Sequence, residues 1–253
     1  MKPARLALAA LALLAASGCS RLEPWVKPYE RENLAELVAQ ILQNPGYRVI
    51  VVDDNSPDGT GAIADDLAVR SPGRVEVIHR TGVRGLGRSL MEGLRRATAG
   101  SDDIVFQMDA DFSHDPKHLP EMAAATADAD LVVGSRYLNG ISVVNWPLHR
   151  IVLSTFANRY IRAVTRLRAT DCTSGFRCWR REALARIPLE QMVSDGYAFL
   201  VEMLFEAHRR GSRIGEVPIV FVERRQGESK LSSAVLVESL IMPWRLKLRG
   251  ARR

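Results

Sequence analysis

Asp103-Ile104-Val105-Phe106-Gln107-Met108-Asp109-Ala110-Asp111 is a short, nearly unbroken apolar run that ends in two carboxylates. A run without polar alternation is the pattern of a strand buried on both faces, as in a parallel sheet covered by helices. Working outward, the same pattern recurs in Arg48-Val49-Ile50-Val51-Val52-Asp53, in Arg74-Val75-Glu76-Val77-Ile78-His79 and in Asp130-Leu131-Val132-Val133-Gly134. Helical patterns separate these runs, at about 32–43, 59–70, 86–98 and 117–127, each opened or closed by Asp, Gly or Pro. Strand and helix in alternation predict an α/β fold with a mostly parallel sheet flanked by helices. Ligands of such sheets sit outside the carboxyl ends of the strands. Two acidic clusters fall there: Asp53-Asp54-Asn55-Ser56-Pro57-Asp58-Gly59-Thr60 and Asp109-Ala110-Asp111.

With 253 residues, 47% of them hydrophobic, the chain can bury one α/β core but not two. Residues 25–253 are therefore read as one domain, closing on a basic amphipathic helix at 231–249. In that helix Val235, Leu236, Leu240, Ile241, Trp244 and Leu248 stand beside Arg245, Lys247 and Arg249, a pattern of a helix lying in a membrane interface or packed on the core. The net charge of +6, with Arg252 and Arg253 adding to the basic end, calls for an anionic partner. No nucleic-acid module with interleaved aromatics is recognisable, so phosphate ligands and anionic lipid surfaces rank above nucleic acid. Cys19, Cys172 and Cys178 have no metal-type spacing and exclude a disulfide scaffold. Residues 1–24 form a signal-like or membrane-contacting segment: Lys2 and Arg5 precede an apolar run from Leu6 to Gly18, and Ala16-Ser17-Gly18-Cys19 is similar to a bacterial lipoprotein signal.

A departing nucleoside diphosphate needs a hard divalent cation held by oxygen ligands, and Asp109 and Asp111 supply such oxygens. In extended backbone, residues i and i+2 point the same way, which would aim both carboxylates at one ion. Asp53 and Asp54 can meet a ribose or base, or else cap the helix that Asp58-Gly59-Thr60 opens. Arg136, Arg150, Arg224, Arg225 and Lys230 offer cations to a second phosphate, and the Gly227-Glu228-Ser229-Lys230 loop can close over it.

Seven segments in order carry a resemblance: Asp53–Thr60, Phe106–Pro116, Gly134–Tyr137, Val144–Arg150, Asp171–Arg177, Gly196–Phe199 and Gly227–Lys230. Together they resemble the dolichyl-phosphate (polyprenol-phosphate) mannosyltransferases, inverting glycosyltransferases of family 2 in the GT-A superfamily, over about residues 29–249. The resemblance implies a GT-A fold of the Rossmann-like nucleotide-diphospho-sugar transferase type, with GDP-mannose as donor and Mg²⁺ or Mn²⁺ as metal. It places Asp109 and Asp111 at the metal, and Glu30, Asp53 and Asp54 with Asp109 at the nucleotide-sugar. Arg136, Arg150 and Arg224, joined by Lys230, fall to the phosphate of a dolichyl or other polyprenyl lipid. An acceptor phosphate monoester is largely dianionic at neutral pH, so no general base is expected; Asp195 and Glu202 are read as surface and helix charge, and His149 as a positioning group. No stretch after Val222 approaches the roughly 20 apolar residues of a spanning helix, and nucleotide sugars are made in the cytosol, so a peripheral enzyme on the cytoplasmic face of the membrane is expected, with a small membrane-anchoring partner. The rival readings are a UDP-sugar-dependent undecaprenyl-phosphate glycosyltransferase and a non-catalytic relative exported as a lipoprotein through Cys19. Two departures stand out. Glu23-Pro24-Trp25-Val26-Lys27-Pro28-Tyr29-Glu30 replaces the family's first-strand ending, so the first strand is expected to be damaged or missing, and Leu200 stands where many relatives have Gln.

Overall fold

The computed structural model describes residues 28–194, 196–222 and 233–251. The segment 1–24 with Cys19, and Asp195, Arg224, Arg225 and Lys230, lie outside the described residues; of Glu30 only the helical backbone is described. Helix α1 (Pro28–Leu42) leads into β1 (Val49–Asp53), α2 (Thr60–Arg70), β2 (Val75–His79), α3 (Leu86–Thr98) and β3 (Ile104–Gln107). Then come α4 (Leu119–Ala125), β4 (Leu131–Ser135), β5 (Val143–Val144), α5 (Leu148–Thr165), β6 (Arg177–Arg180) and α6 (Arg181–Ala185). The chain continues through α7 (Gly196–Arg209), β7 (Ile214–Pro218), β8 (Phe221–Val222) and α8 (Ser233–Ala251). The four expected strands and four expected helices are all present, with ends shifted by a few residues, as is usual where helix ends fray.

Strands β1 and β2 pair in parallel with Asp53 opposite His79. A second sheet runs β3-β6-β4-β7. Because β6 is antiparallel to both β3 and β4, those two run in the same direction, as does β7. Their carboxyl ends, and the residues that follow them, therefore leave the sheet at one edge. The sequence reading did not anticipate β6: Arg177-Cys178-Trp179-Arg180 starts and ends in arginine, yet its first three residues are buried.

Alternation across the strands feeds two cores. Val51, Phe106 and Val132 face a core closed by Leu34, Leu37 and Ile41 of α1 and Met122 of α4. Val52, Val105 and Leu131 face the other, closed by Leu90 and Leu94 of α3, Phe199 and Leu204 of α7, and Met242 and Leu246 of α8. Removing a buried leucine of this kind costs about 2–5 kcal/mol. Strands β1 and β3 thus share both cores, but among the described residues β1 ladders only with β2 and β3 only with β6.

Candidate active site

Strand β3 ends at Gln107, two residues before the first carboxylate, and residues 110–114 form bends, with Phe112 at φ 59°. The two carboxylates are therefore presented by a bend beyond the strand, not by extended backbone. Asp109 and Asp111 are both half-buried. The Ser113 backbone N–H and hydroxyl both donate to Asp111 Oδ1, which fixes that carboxylate. Among the described residues no third His, Cys, Asp or Glu joins them. Two partly exposed carboxylates, that of Asp111 fixed by Ser113, fit a hard divalent cation whose remaining coordination comes from phosphate and water.

His114 anchors the bend, and sequence reasoning gave it no role. Its Nδ1 accepts from the Asp109 backbone N–H at 2.9 Å, so the ring proton lies on Nε2. Burial pulls its pKa below the usual histidine value more strongly than the nearby Asp109 and Asp111 carboxylates raise it, and the ring stays neutral. It stacks on Phe176 at 5.0 Å and meets Phe221 edge-on at 5.9 Å. Phe221 in turn meets Trp146 at 5.4 Å, and the Arg136 guanidinium lies 5.4 Å from the Phe221 ring and 5.5 Å from Trp146. Arg150 stacks on Trp146 at 4.0 Å. One wall thus runs from the carboxylates through His114 and Phe221 to two arginines. The Trp146 indole N–H is buried in this wall with no acceptor among the described residues.

Arg136 follows β4 directly and is held bidentately by Asp171, at 2.6 and 2.7 Å, with Thr173 Oγ1 a further acceptor at 2.7 Å. Burial works against ionised Asp171, but the charge and hydrogen bonds of Arg136 outweigh it and hold the carboxyl below its usual range. Glu216 of β7 supports this loop from below, accepting from the Thr170 backbone N–H at 2.9 Å and from that of Asp171 at 3.2 Å.

The acids after β1 are committed elsewhere. Asp54 pairs with buried Arg80, and its other oxygen accepts from the Gly85 backbone N–H at 2.8 Å. Asp53 accepts from the Ser56 N–H at 3.1 Å and faces His79 Nδ1 at 3.3 Å, while His79 Nε2 lies 2.8 Å from Asp65. Asp58 accepts from the Thr60 N–H at 3.0 Å at the start of α2, so it is Asp58 that braces this helix start.

Arg177 also went unassigned from sequence. It is fully buried, donates to the carbonyls of Ser174, Cys172 and Leu200 at 3.0, 3.4 and 2.7 Å, and burial lowers its pKa to about 10. It ties the 172–176 loop to α7 and so sets Gly175 against His114 and Asp109; a Cβ there would lie 3.5 Å from the ring and 3.7 Å from the carboxylate. Leu200 is buried at this junction. Glu202, expected as surface charge, is instead 2% exposed and accepts from the Ser194 N–H and from Arg249 at 2.9 and 3.1 Å, which staples α7 to α8. His149 is exposed. Cys172 and Cys178 are buried free thiols; burial pushes Cys172 up to about 12.

A carboxylate pair after β3 and an arginine pair beyond β4, on a helix-covered α/β sheet, are the groups a nucleotide-sugar transferase class of site requires. The fold agrees: glucosyl-3-phosphoglycerate synthase of Mycobacterium tuberculosis, solved with Mn²⁺ and UDP-glucose, superposes with a TM-score of 0.63 at 18% identity over 95% of this chain and 79% of its own. The same enzyme with Mn²⁺, UDP and phosphoglyceric acid gives a TM-score of 0.64 at 18% identity, over 97% and 78% of the two chains. Residues 29–187 match the glycosyl transferase family 2 model, and the chain belongs to that family. It is 42% identical to the polyprenol monophosphomannose synthase of Mycolicibacterium smegmatis over 87% of this chain and 84% of that one. It is 45% identical to the undecaprenyl-phosphate mannosyltransferase of Micrococcus luteus over 78% of this chain and 81% of that one.

Proposed function

We propose that this chain transfers mannose from GDP-mannose to the phosphate of a polyprenyl lipid, with inversion at the anomeric carbon, at a membrane surface on its cytoplasmic side. The observation that carries the reading is the single wall linking the Asp109–Asp111 bend to Arg136 and Arg150 through His114 and Phe221. Both similar mannosyltransferases carry polyprenol or undecaprenyl phosphate in their names, which supports the acceptor.

Asp109 and Asp111 would hold Mg²⁺ or Mn²⁺, which when bound stabilises the charge on the departing diphosphate. The bond from the Asp109 backbone N–H to His114 would hold the bend that presents the first carboxylate while the donor enters. Arg136, oriented by Asp171, and Arg150, braced on Trp146, would draw the acceptor phosphate to the opposite side of the sugar, with Arg224 and Lys230 as further cations. The buried Trp146 N–H is a donor that a phosphate oxygen would satisfy. A phosphate monoester has its second pKa at about 6 and is largely dianionic at neutral pH, so the nucleophile needs no side-chain base. Phe221 and Trp146 would shield the same carbon from competing water, with buried Phe176 backing His114 behind them.

The test is transfer of radiolabelled mannose from GDP-mannose to a polyprenyl phosphate with Mn²⁺, run beside UDP-glucose and beside an Asp109→Asn, Asp111→Asn variant. Metal-dependent mannolipid should form from the parent and fall at least about a thousandfold in the variant, because metal stabilisation is worth several kcal/mol. Glucolipid in place of mannolipid would overturn the donor. A folded parent that makes neither product would overturn the activity.

A further inference from the structure

Arg80 and Arg136 are each paired with a buried carboxylate. Arg177 is buried more deeply than either, yet the groups that accept from it are backbone carbonyls, those of Ser174 and Cys172 in the loop before β6 and that of Leu200 in α7. Among the described residues its Nη1 has no acceptor, and Oε1 of Gln107, its register partner across β3 and β6, has no donor. Taking a guanidinium out of water without a counter-charge in contact is costly, and an apolar side chain of similar volume would fill the same space at lower cost. Stability is therefore a poor reason for this arginine. Buried polar groups that break the rules of packing concentrate at functional sites.

Its bonds to the loop do something an apolar side chain could not. A trans peptide points its C=O and its N–H to opposite sides. The Cys172 carbonyl accepts from Arg177 at 3.4 Å, so the Thr173 N–H of the same peptide turns away from it and donates to Asp171 Oδ1 at 3.2 Å. That carboxylate oxygen also receives the Arg136 guanidinium at 2.7 Å. The Ser174 carbonyl accepts at 3.0 Å, so the Gly175 N–H turns away from Arg177 as well. Gly175 is half-buried beside Asp109 and His114, and among the described residues its N–H has no acceptor. A carbonyl bound to a cation polarises its peptide, which makes the N–H at the other end a stronger donor. The loop is pinned elsewhere too: Ser174 Oγ donates to the Gly134 carbonyl of β4 at 2.7 Å, and Asn158 of α5 accepts from the Cys172 N–H at 2.7 Å.

We propose that Arg177 is a positioning residue for both halves of the reaction: a buried cation that aims the Gly175 N–H at an oxygen of the nucleotide-sugar beside Asp109, and the Thr173 N–H at the carboxylate that orients Arg136. The Gly175 amide is thereby a donor-binding group. The proposal rests on the nucleotide-sugar reading for what that amide meets; the aiming itself stands on the geometry of the loop.

The experiment compares the full chain with Arg177→Met, Arg177→Lys and Gly175→Ala variants. Calorimetric titration with GDP, GDP-mannose, UDP or UDP-glucose in the presence of Mn²⁺ gives binding, and mannose transfer gives kcat and both KM values, all per folded molecule as measured by denaturant unfolding. Arg177→Met fills much of the space but aims neither peptide. It should weaken nucleotide binding at least about tenfold, raise the acceptor KM and lower kcat about 100-fold, the size of effect that follows loss of an oriented donor. Arg177→Lys keeps the charge and can still reach a carbonyl, and should recover part of each loss. If Arg177→Met does not fold, the other two variants carry the test. The methyl group of Gly175→Ala meets its neighbours at 3.5–3.8 Å, so the fold should hold. It narrows the approach to the amide, and donor binding should weaken about tenfold, the loss of one hydrogen bond, with the acceptor KM unchanged. A loss seen already with GDP puts the contact on the diphosphate, and a loss seen only with GDP-mannose puts it on the sugar. Arg177 variants that merely unfold more easily, and bind and turn over like the parent per folded molecule, would overturn the proposal. So would Gly175→Ala binding the donor as the parent does. A parent that prefers UDP and UDP-glucose would fail the mannose-donor reading, while the ratio of variant to parent on those nucleotides would still decide the role of Arg177. A parent that binds none of the four would overturn both.

Discussion

The two ends of the site treat their charges differently. After β1, each acid is matched within the protein: Asp54 with Arg80, which also reaches Glu92 and Ser89, and Asp53 with His79, which also reaches Asp65. After β4, one buried carboxylate, Asp171, orients Arg136, Glu216 braces the loop that carries Asp171, and Arg136 and Arg150 lie against Trp146. The first end is a neutralised, cross-braced frame suited to holding a loop still. The second keeps a positive field in a region with no acid between residues 131 and 170, suited to attracting an anion. Exposed apolar residues follow the same division: Val69 and Val83 stand singly near the first end, while α5 and α8 carry whole rows.

Substitutions that leave each buried arginine without its carboxylate should separate frame from field. Asp171→Asn and Asp54→Asn both remove the charge from a side chain that is at most 1% exposed and that pairs with a buried arginine, Arg136 or Arg80. Each should cost about 3–5 kcal/mol in stability, measured by denaturant unfolding. The two should differ in function. In preparations still folded, Asp171→Asn should raise KM for the acceptor phosphate, and Asp54→Asn should raise KM for the donor. An acceptor defect in Asp54→Asn would dissolve the division.

Arg150→Ala sharpens the same contrast at smaller size. Arg150 is partly exposed and braced by a ring, so its removal should leave stability within about 0.5 kcal/mol. Its loss should weaken acceptor binding about 10- to 100-fold, the range for a hydrogen bond to a charged group. A large stability loss with unchanged acceptor KM would reassign Arg150 to the frame.

The sheet and its ligand edge were legible because doubly buried strands leave runs such as Val49–Val52 that need no partner to be recognised. Strand β6 was not legible. Its arginines read as surface, but Arg177 is buried because the carbonyls of Ser174 and Cys172 in the preceding loop and of Leu200 in α7 accept from it. Asp109 and Asp111 were readable as a metal pair from residue type, while the bend that presents them depends on Phe112 adopting positive φ and on His114, which no spacing rule selects. Glu202 failed for the opposite reason: an acid in a largely apolar helix suggests an outer face, and its burial is set by partners 8 and 47 residues away.

The smallest effect tests whether the frame includes His79. Its pKa is raised, chiefly by the hydrogen bond to Asp65, with burial opposing and Asp53 adding to the rise. A histidine whose folded pKa lies above its unfolded value of about 6.5 adds stability that is complete below that value and is lost as pH rises through the folded pKa. The parent should therefore lose stability between about pH 6 and pH 8 by a few tenths of a kcal/mol more than a His79→Gln variant does, a small difference because the ring is 44% exposed and solvent screens the pair. Donor KM should drift upward over the same window in the parent and stay flat in the variant, because neutral His79 releases Asp53 from one side. Parallel stability curves for the two chains would remove His79 from the frame and leave Asp53 held by the Ser56 N–H.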